Sequence, residues 1–279
     1  MEVHFCGVRG STPAPGIEFV RYGGHTSCVA LTPDGGTAPR LILDAGAGLQ
    51  RASALLDGGP FDGTILLTHL HWDHVLGLPF FAASDREDAH THVLLPEQAS
   101  GAGAAEVLAG MMSPPYFPVG PTELRGSWSF GTVNPGVHEI EGFTVLAREV
   151  PHKGGRTFGY RISDGHSTLT YMPDHCPTAL GAGEDGFGAI HETAVELAAG
   201  TDLLIHDAQL FPAELAETNF GHAVADYAVG LARHAQARAV AFFHHRPDRR
   251  DEALDELGAR FADSSPPARV ATEGTTIRL

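Results

Sequence analysis

Thr68-His69-Leu70-His71-Trp72-Asp73-His74 decides how this chain is read. The run before it, Thr64-Ile65-Leu66-Leu67, is short, apolar and β-branched at its start, as a buried strand requires. The motif therefore sits where a strand ends and a helix begins. It packs three imidazoles and a carboxylate into one turn of chain, and these are ligands that a borderline cation such as zinc accepts. In an extended segment residues i and i+2 point the same way, so His69 and His71 can grip one metal. The chain then turns, and Asp73 and His74 can face a second metal beside the first. Two metals about 3.5–4 Å apart are the usual hydrolytic arrangement. Histidine is abundant, 17 of 279 residues, yet chance gives this pattern at a given start with a frequency on the order of 10⁻⁵. A solvated polar turn has no reason to place histidine at three fixed positions.

Such a motif demands further ligands at other strand ends. Upstream, strands are predicted at Val3–Val8, Cys28–Leu31 and Leu41–Leu43. After the first, Ser11 and Thr12 either donate to a substrate oxyanion or form a plain surface loop. After the third, Asp44 either bonds the outer nitrogen of a metal-bound histidine, fixing its tautomer, or serves only the turn. Downstream, Leu76–Phe81 supplies apolar bulk, His92–Leu95 reads as a strand and Glu97–Met112 as an Ala-rich helix. Ser113-Pro114-Pro115-Tyr116-Phe117-Pro118 is too proline-rich for a central element and forms an aromatic rim over the site or a packed turn.

The strand Phe143–Val150 ends at Pro151-His152, where a third ligand to the first metal is wanted. Phe158–Ile162 and Thr168–Met172 form a hairpin about Asp164-Gly165, whose second arm runs into Asp174-His175-Cys176. Asp174 has one oxygen for each metal, so it is preferred as the bridge over its rivals His175 and Cys176. A helix follows at Ile190–Ala199, then an apolar strand at Asp202–Asp207. His222, after Asn219-Phe220-Gly221, opens a helix that runs to about His234. The positive end of that helix depresses its pKa, and it is a candidate general acid. The strand Ala239–Phe243 ends at His244 and His245, one of which completes the second metal's set. Asp248–Phe261 is an outer helix, and Val270–Leu279 a closing strand or hairpin.

No linker divides the chain, so one domain over 1–279 is expected. The net charge of −16 argues against wrapping long nucleic acid, which needs a basic face. A small anionic substrate is still compatible, because bound divalent cations add local positive charge. Three cysteines and no secretory leader point to a reducing compartment, the cytoplasm. No apolar run reaches membrane-spanning length. Strands in both halves with helices between them predict an α+β fold: two mainly antiparallel β-sheets face to face, flanked by helices, with the site along one shared edge.

The chain resembles the metallo-β-lactamase-fold hydrolases, within them the branch of ribonuclease Z and the cyclic-phosphate and cyclic-nucleotide phosphodiesterases. The likeness rests on Gly7–Pro13, Tyr22–Cys28, Leu43–Gly46, His69–His74, Leu203–Asp207, Gly221-His222 and Phe243–His245. It implies a four-layer αβ/βα sandwich and two divalent metal ions, zinc first, with manganese and iron as alternatives. The first metal takes His69, His71 and His152, the second Asp73, His74 and His244, and Asp174 bridges. Asp73 and His222 are the implied catalytic residues, the first orienting a hydroxide held between the metals, the second protonating the leaving group. The implied activity is that of a metallo-hydrolase, a dinuclear phosphodiesterase acting on a small phosphodiester or nucleotide, cyclic ones included. Opening of a lactone, thioester or amide, or an iron-dependent oxidase or dioxygenase reaction, is the alternative. His25, Pro151 and Ala223 depart from the branch's pattern at positions tied to substrate contacts. No long basic Gly/Pro arm of the kind ribonuclease Z uses is seen. The expected partner is therefore a small anionic molecule, with no long nucleic acid and no membrane, the chain acting alone or as a homodimer.

Overall fold

Short runs of β-branched and aromatic residues, broken by glycine and proline, become fourteen strands in the computed structural model, which describes residues 1–215 and 221–279. In chain order they are β1 (Glu2–Gly7), β2 (Cys28–Thr32), β3 (Leu41–Leu43), β4 (Asp62–Leu66), β5 (His90–Pro96), β6 (Ser127–Val133) and β7 (Gly136–Ile140), continuing with β8 (Phe143–Glu149), β9 (Phe158–Ser163), β10 (Thr168–Met172), β11 (Leu203–Asp207), β12 (Val240–Phe243), β13 (Ala268–Val270) and β14 (Thr276–Arg278). The α-helices are α1 (Leu49–Ala52), α2 (Trp72–Val75), α3 (Ala104–Ala109), α4 (Glu192–Ala198), α5 (Ala225–His234) and α6 (Asp251–Arg260). None is long and apolar enough to cross a membrane among the described residues.

The strands form two seven-stranded sheets, ordered β14-β1-β2-β3-β4-β5-β6 and β13-β12-β11-β10-β9-β8-β7. Each is mixed rather than mainly antiparallel. Pairing is antiparallel from β14 to β3 and parallel from β3 to β6. It is antiparallel from β7 to β10 and parallel from β10 to β13. The parallel halves are those whose strands are joined by long helical crossovers, which return the chain in the same direction.

The period of two along each strand builds the layers. On β11 and β12, Leu203, Ile205, Ala241 and Phe243 point between the sheets, where they meet Val3, Phe5, Leu43 and Tyr171. Leu204, Val240 and Phe242 point outward, where they meet Leu197 of α4, Leu231 of α5 and Leu254 of α6. The other sheet's outer face is covered in the same way by Leu49 of α1, Val75 of α2 and Leu108 of α3. Full burial of each such side chain contributes about 1.5–3 kcal/mol.

Three local expectations change. The helix expected over Glu97–Met112 shrinks to α3, because Gly101 adopts φ +69° and the Ser100 hydroxyl accepts the Ala102 N–H at 3.3 Å, which makes a turn. Val270–Leu279 is no hairpin: β13 joins one sheet and β14 the other. The edge strands β6 and β7 have no counterpart in the sequence reading, because their side chains are mostly half-buried or exposed and carry little apolar signal.

The topology also places the chemistry. Because β10, β11 and β12 are parallel, Asp174, Asp207 and His244 leave the sheet on the same side. Asp44 and His69 do so from β3 and β4 of the facing sheet.

Candidate metal centre

At that shared edge the ligand atoms of His69, His71, His152 and Asp174 all lie within 4.8 Å of one another. The same holds for Asp73, His74 and His244, and for Asp174, His222 and His244. His152 Nε2 is 3.3 Å from His71 Nδ1 and 3.4 Å from Asp174 Oδ1. His244 Nε2 is 3.0 Å from Asp73 Oδ2 and 3.2 Å from His74 Nε2. Asp174 turns its second oxygen to this second group, with Oδ2 at 2.9 Å from His74 Nε2 and 3.3 Å from His244 Nε2. All seven sequence-predicted ligands thus converge, as does His222. His245 points elsewhere and donates from Nε2 to the Ala271 carbonyl at 2.9 Å.

A cation fits this donor set. His69 Nε2 and Asp174 Oδ2 are buried and have no hydrogen-bond partner. An orphaned buried polar atom costs about 1–3 kcal/mol. The short approach of Asp174 Oδ2 to His74 lacks hydrogen-bond geometry, as befits lone pairs that converge on a common point rather than on each other. The imidazole and carboxylate donors suit zinc and its neighbours.

The surrounding contacts orient these donors. The buried Asp44 carboxylate accepts from His74 Nδ1 at 2.8 Å, the Tyr171 hydroxyl at 2.9 Å and the Thr68 N–H at 2.7 Å. His74 therefore carries its proton on Nδ1 and turns Nε2 to the cluster. Ser11, at φ +65°, donates its backbone N–H to Asp73 Oδ2 at 2.5 Å. Gln209 Nε2 reaches the Ser11 hydroxyl at 3.1 Å and lies 3.3 Å from His244 Nδ1. Asp207 accepts from His222 Nδ1 at 2.9 Å, and is itself held by the N–H groups of His175 at 3.1 Å and Gln209 at 3.0 Å. Of these supports, sequence reasoning found Asp44 and missed Asp207, Gln209 and Tyr171. Asp207 carried a usable signal, an aspartate at the end of an apolar strand like Asp44 and Asp174.

The charges of the buried imidazoles and carboxylates act strongly on one another. Burial pushes the His74 imidazole down, but Asp73, Asp174 and Asp44 outweigh it, and its pKa rises well above the usual value. Burial and then His74 drive His69 well below. Burial opposes ionisation of Asp174, yet His244, His74 and other imidazoles hold it well below the ordinary carboxylate range. The expectation for His222 is corrected. Its pKa is raised, not depressed: burial lowers it, but the contact with Asp207 wins. The helix dipole has little hold, because α5 begins only after the N-cap Val224 and the effect fades within a turn.

The cluster opens into a cleft of about 520 Å³ whose lining includes Ser11, Leu70, Trp72, Lys153 and His222. A larger cavity of about 680 Å³ lies beside α4 and α5, but none of the ligand side chains lines it. Of the two readings of Ser113–Pro118, a rim over the site or a packed turn, the rim is not supported: neither Tyr116 nor Phe117 lines the cleft. Phe117 instead packs edge-on against Phe80, with ring centroids 5.8 Å apart. The three departures from the family pattern also lie off the cleft lining. His25 pairs with Glu273 at 2.8 Å, the Pro151 carbonyl accepts the Cys176 N–H, and Ala223 is core.

The family model described as the β-lactamase superfamily domain matches residues 40–245. The chain belongs to the β-lactamase superfamily. Curated relatives of this superfamily member include ribonuclease Z of Salinibacter ruber, 26% identical over 88% of the chain and 84% of the relative. Another is ribonuclease Z of Natronomonas pharaonis, 27% identical over 98% of the chain and 92% of the relative. Among solved structures, the metallo-β-lactamase-fold protein YhfI of Bacillus subtilis superposes with a TM-score of 0.70 at 18% identity, covering 99% of this chain and 98% of that one. The protein is a metallo-hydrolase of this superfamily, and its histidine–aspartate cluster binds divalent metal. The expectation of no long nucleic acid does not stand, because the relatives matched over most of their length are ribonucleases. Net charge sums the whole surface, whereas RNA contacts answer to the local field of a cleft.

Proposed function

We propose that this superfamily member is a dinuclear phosphodiesterase, built as one domain over residues 1–279. The observation that carries the reading is the placement of Asp174. Its Oδ1 faces His152 and its Oδ2 faces His74 and His244, so one carboxylate serves two sites. His69, His71 and His152 would hold one cation, Asp73, His74 and His244 the other, with zinc favoured by the nitrogen-rich donor set. When bound, such cations bring the pKa of water down from 15.7 towards about 7 and offset the charge on a phosphoryl group.

The chain's own residues do the rest. Asp73 lines the cleft and is fixed by the Ser11 amide, so it can orient the attacking water. Asp207 ties up His222 Nδ1, which leaves Nε2 as the atom that meets the leaving oxygen. The same contact with Asp207 raises the His222 pKa, the direction that a proton donor needs. Proton donation to an alkoxide is worth roughly 10²–10⁴-fold. The ribonuclease names of the relatives support a nucleic-acid or nucleotide phosphodiester as the bond cleaved.

The test is hydrolysis of bis(p-nitrophenyl) phosphate by protein of measured metal content, followed by a panel of precursor transfer RNA and cyclic nucleotides. Turnover should scale with metal up to two per chain and vanish in Asp73→Ala. Two bound metals with no phosphodiester turnover on any of these substrates would refute the reading.

A further inference from the structure

Trp72 stands between two cluster residues, His71 and Asp73, at the first position of α2, yet its side chain is 75% exposed. It lines the cleft. Among the described residues its indole has neither a hydrogen bond nor a ring contact. The other tryptophan is spent on structure: Trp128 donates from Nε1 to the Arg125 carbonyl at 2.8 Å and stacks on Phe130 with an 11° angle between the rings. Tyr116 is equally exposed at 80% and Phe80 is half-exposed, but neither lines the cleft. A large aromatic face is therefore left in water at one place that matters, beside the ligands.

We propose that Trp72 is the stacking platform for a nucleobase carried by the substrate, next to the phosphate being cleaved. This rests on the phosphodiesterase reading and adds to it the class of group the cleft selects. Consecutive Cα atoms are about 3.8 Å apart, so the indole springs from the chain one residue from ligands on either side. A base attached to the sugar of the reacting phosphate falls within its reach. Stacking on an aromatic face tolerates every base, because each has a π-face, and needs no hydrogen-bonded readout.

The test uses metal-loaded protein carrying Trp128→Phe, so that Trp72 is the sole tryptophan reporter. Adenosine 5′-monophosphate and ribose 5-phosphate are titrated in parallel by fluorescence and calorimetry. The nucleotide should quench Trp72 and bind roughly 5- to 150-fold tighter than the abasic ligand. That margin should disappear in Trp72→Ala and survive in part in Trp72→Phe, with Tyr116→Ala unchanged. Equal binding of the two ligands, or a margin that persists in Trp72→Ala, overturns the stacking role and leaves the phosphate site standing. Binding of neither ligand, together with no hydrolysis of bis(p-nitrophenyl) phosphate, overturns both readings. Conversion of a dimer to a monomer by Trp72→Ala in sedimentation would make Trp72 a subunit contact and also overturn the proposal.

Discussion

Asp44→Asn tests the wiring beneath the metal centre without disturbing the backbone. Asp44 sits at φ +59°, a left-handed conformation that asparagine also tolerates, so the change is one of hydrogen-bond polarity. The aspartate is fully buried and receives donors only: Thr68 N–H and hydroxyl, His74 Nδ1 and the Tyr171 hydroxyl. Asparagine keeps one acceptor. If its oxygen stays with Thr68, its amide meets His74 Nδ1 donor to donor. The imidazole escapes by moving its proton to Nε2, the atom that lies 3.2 Å from His244 Nε2 and 2.9 Å from Asp174. That atom then has no lone pair for a cation. Hydrogen bonds to a charged group are worth about 1.5–3 kcal/mol each, and loss of a partner behind a ligand typically weakens metal affinity 10–100-fold. Zinc competition against a chromophoric chelator should show a loss of that size in one of two sites, the second being nearly unchanged. Thermal melting of the metal-free variant should fall as well. Zinc affinities within twofold of wild type at both sites would refute the tautomer argument.

His222→Ala should keep both metals, slow diesters with alkyl leaving groups by roughly 10²–10⁴-fold and spare activated aryl diesters. Equal loss on both substrate types would sink the acid role. His245 is buried, and burial pushes its pKa down to about 3. The unfolded chain, near 6.5, takes up the proton first, so stability is full above pH 6.5. It falls by about 1.4 kcal/mol per unit as the pH drops towards 3. His245→Gln should flatten that slope in urea titrations, and identical slopes would contradict it. Removing metal with a chelator should lower the melting temperature, because a cation at 100 times its Kd stabilises by about 2.7 kcal/mol. An unchanged melt would mean that the cluster holds its donors apart without help.

Much of the centre could be read from the chain because ligand chemistry restricts residue type and strand ends restrict position. Leu41–Leu43 and Thr168–Met172 appear with the bounds their apolar runs predict, and the cluster residues follow at or near strand ends. Pairing direction was not readable in the same way. It depends on how each crossover returns the chain, which no single strand records, so the strand runs alone point to mainly antiparallel sheets where the structure has mixed ones. The strands β6 and β7 lie at sheet edges, where half-exposed side chains erase the alternating signal.

The residues that tune the site were hidden for a related reason: their partners are remote in sequence. Tyr171 reaches Asp44 across 127 positions and Gln209 reaches Ser11 across 198, and neither belongs to a local motif. The charge argument failed from the opposite side, by averaging. A total of −16 includes carboxylates that do not line the cleft, Asp62 and Glu196 among them. The potential inside the cleft is set instead by the groups that line it, Asp73, Asp174, Lys153 and the histidines among them. What this cleft admits is thus set by the groups at one edge of two sheets, not by the charge summed over the whole surface.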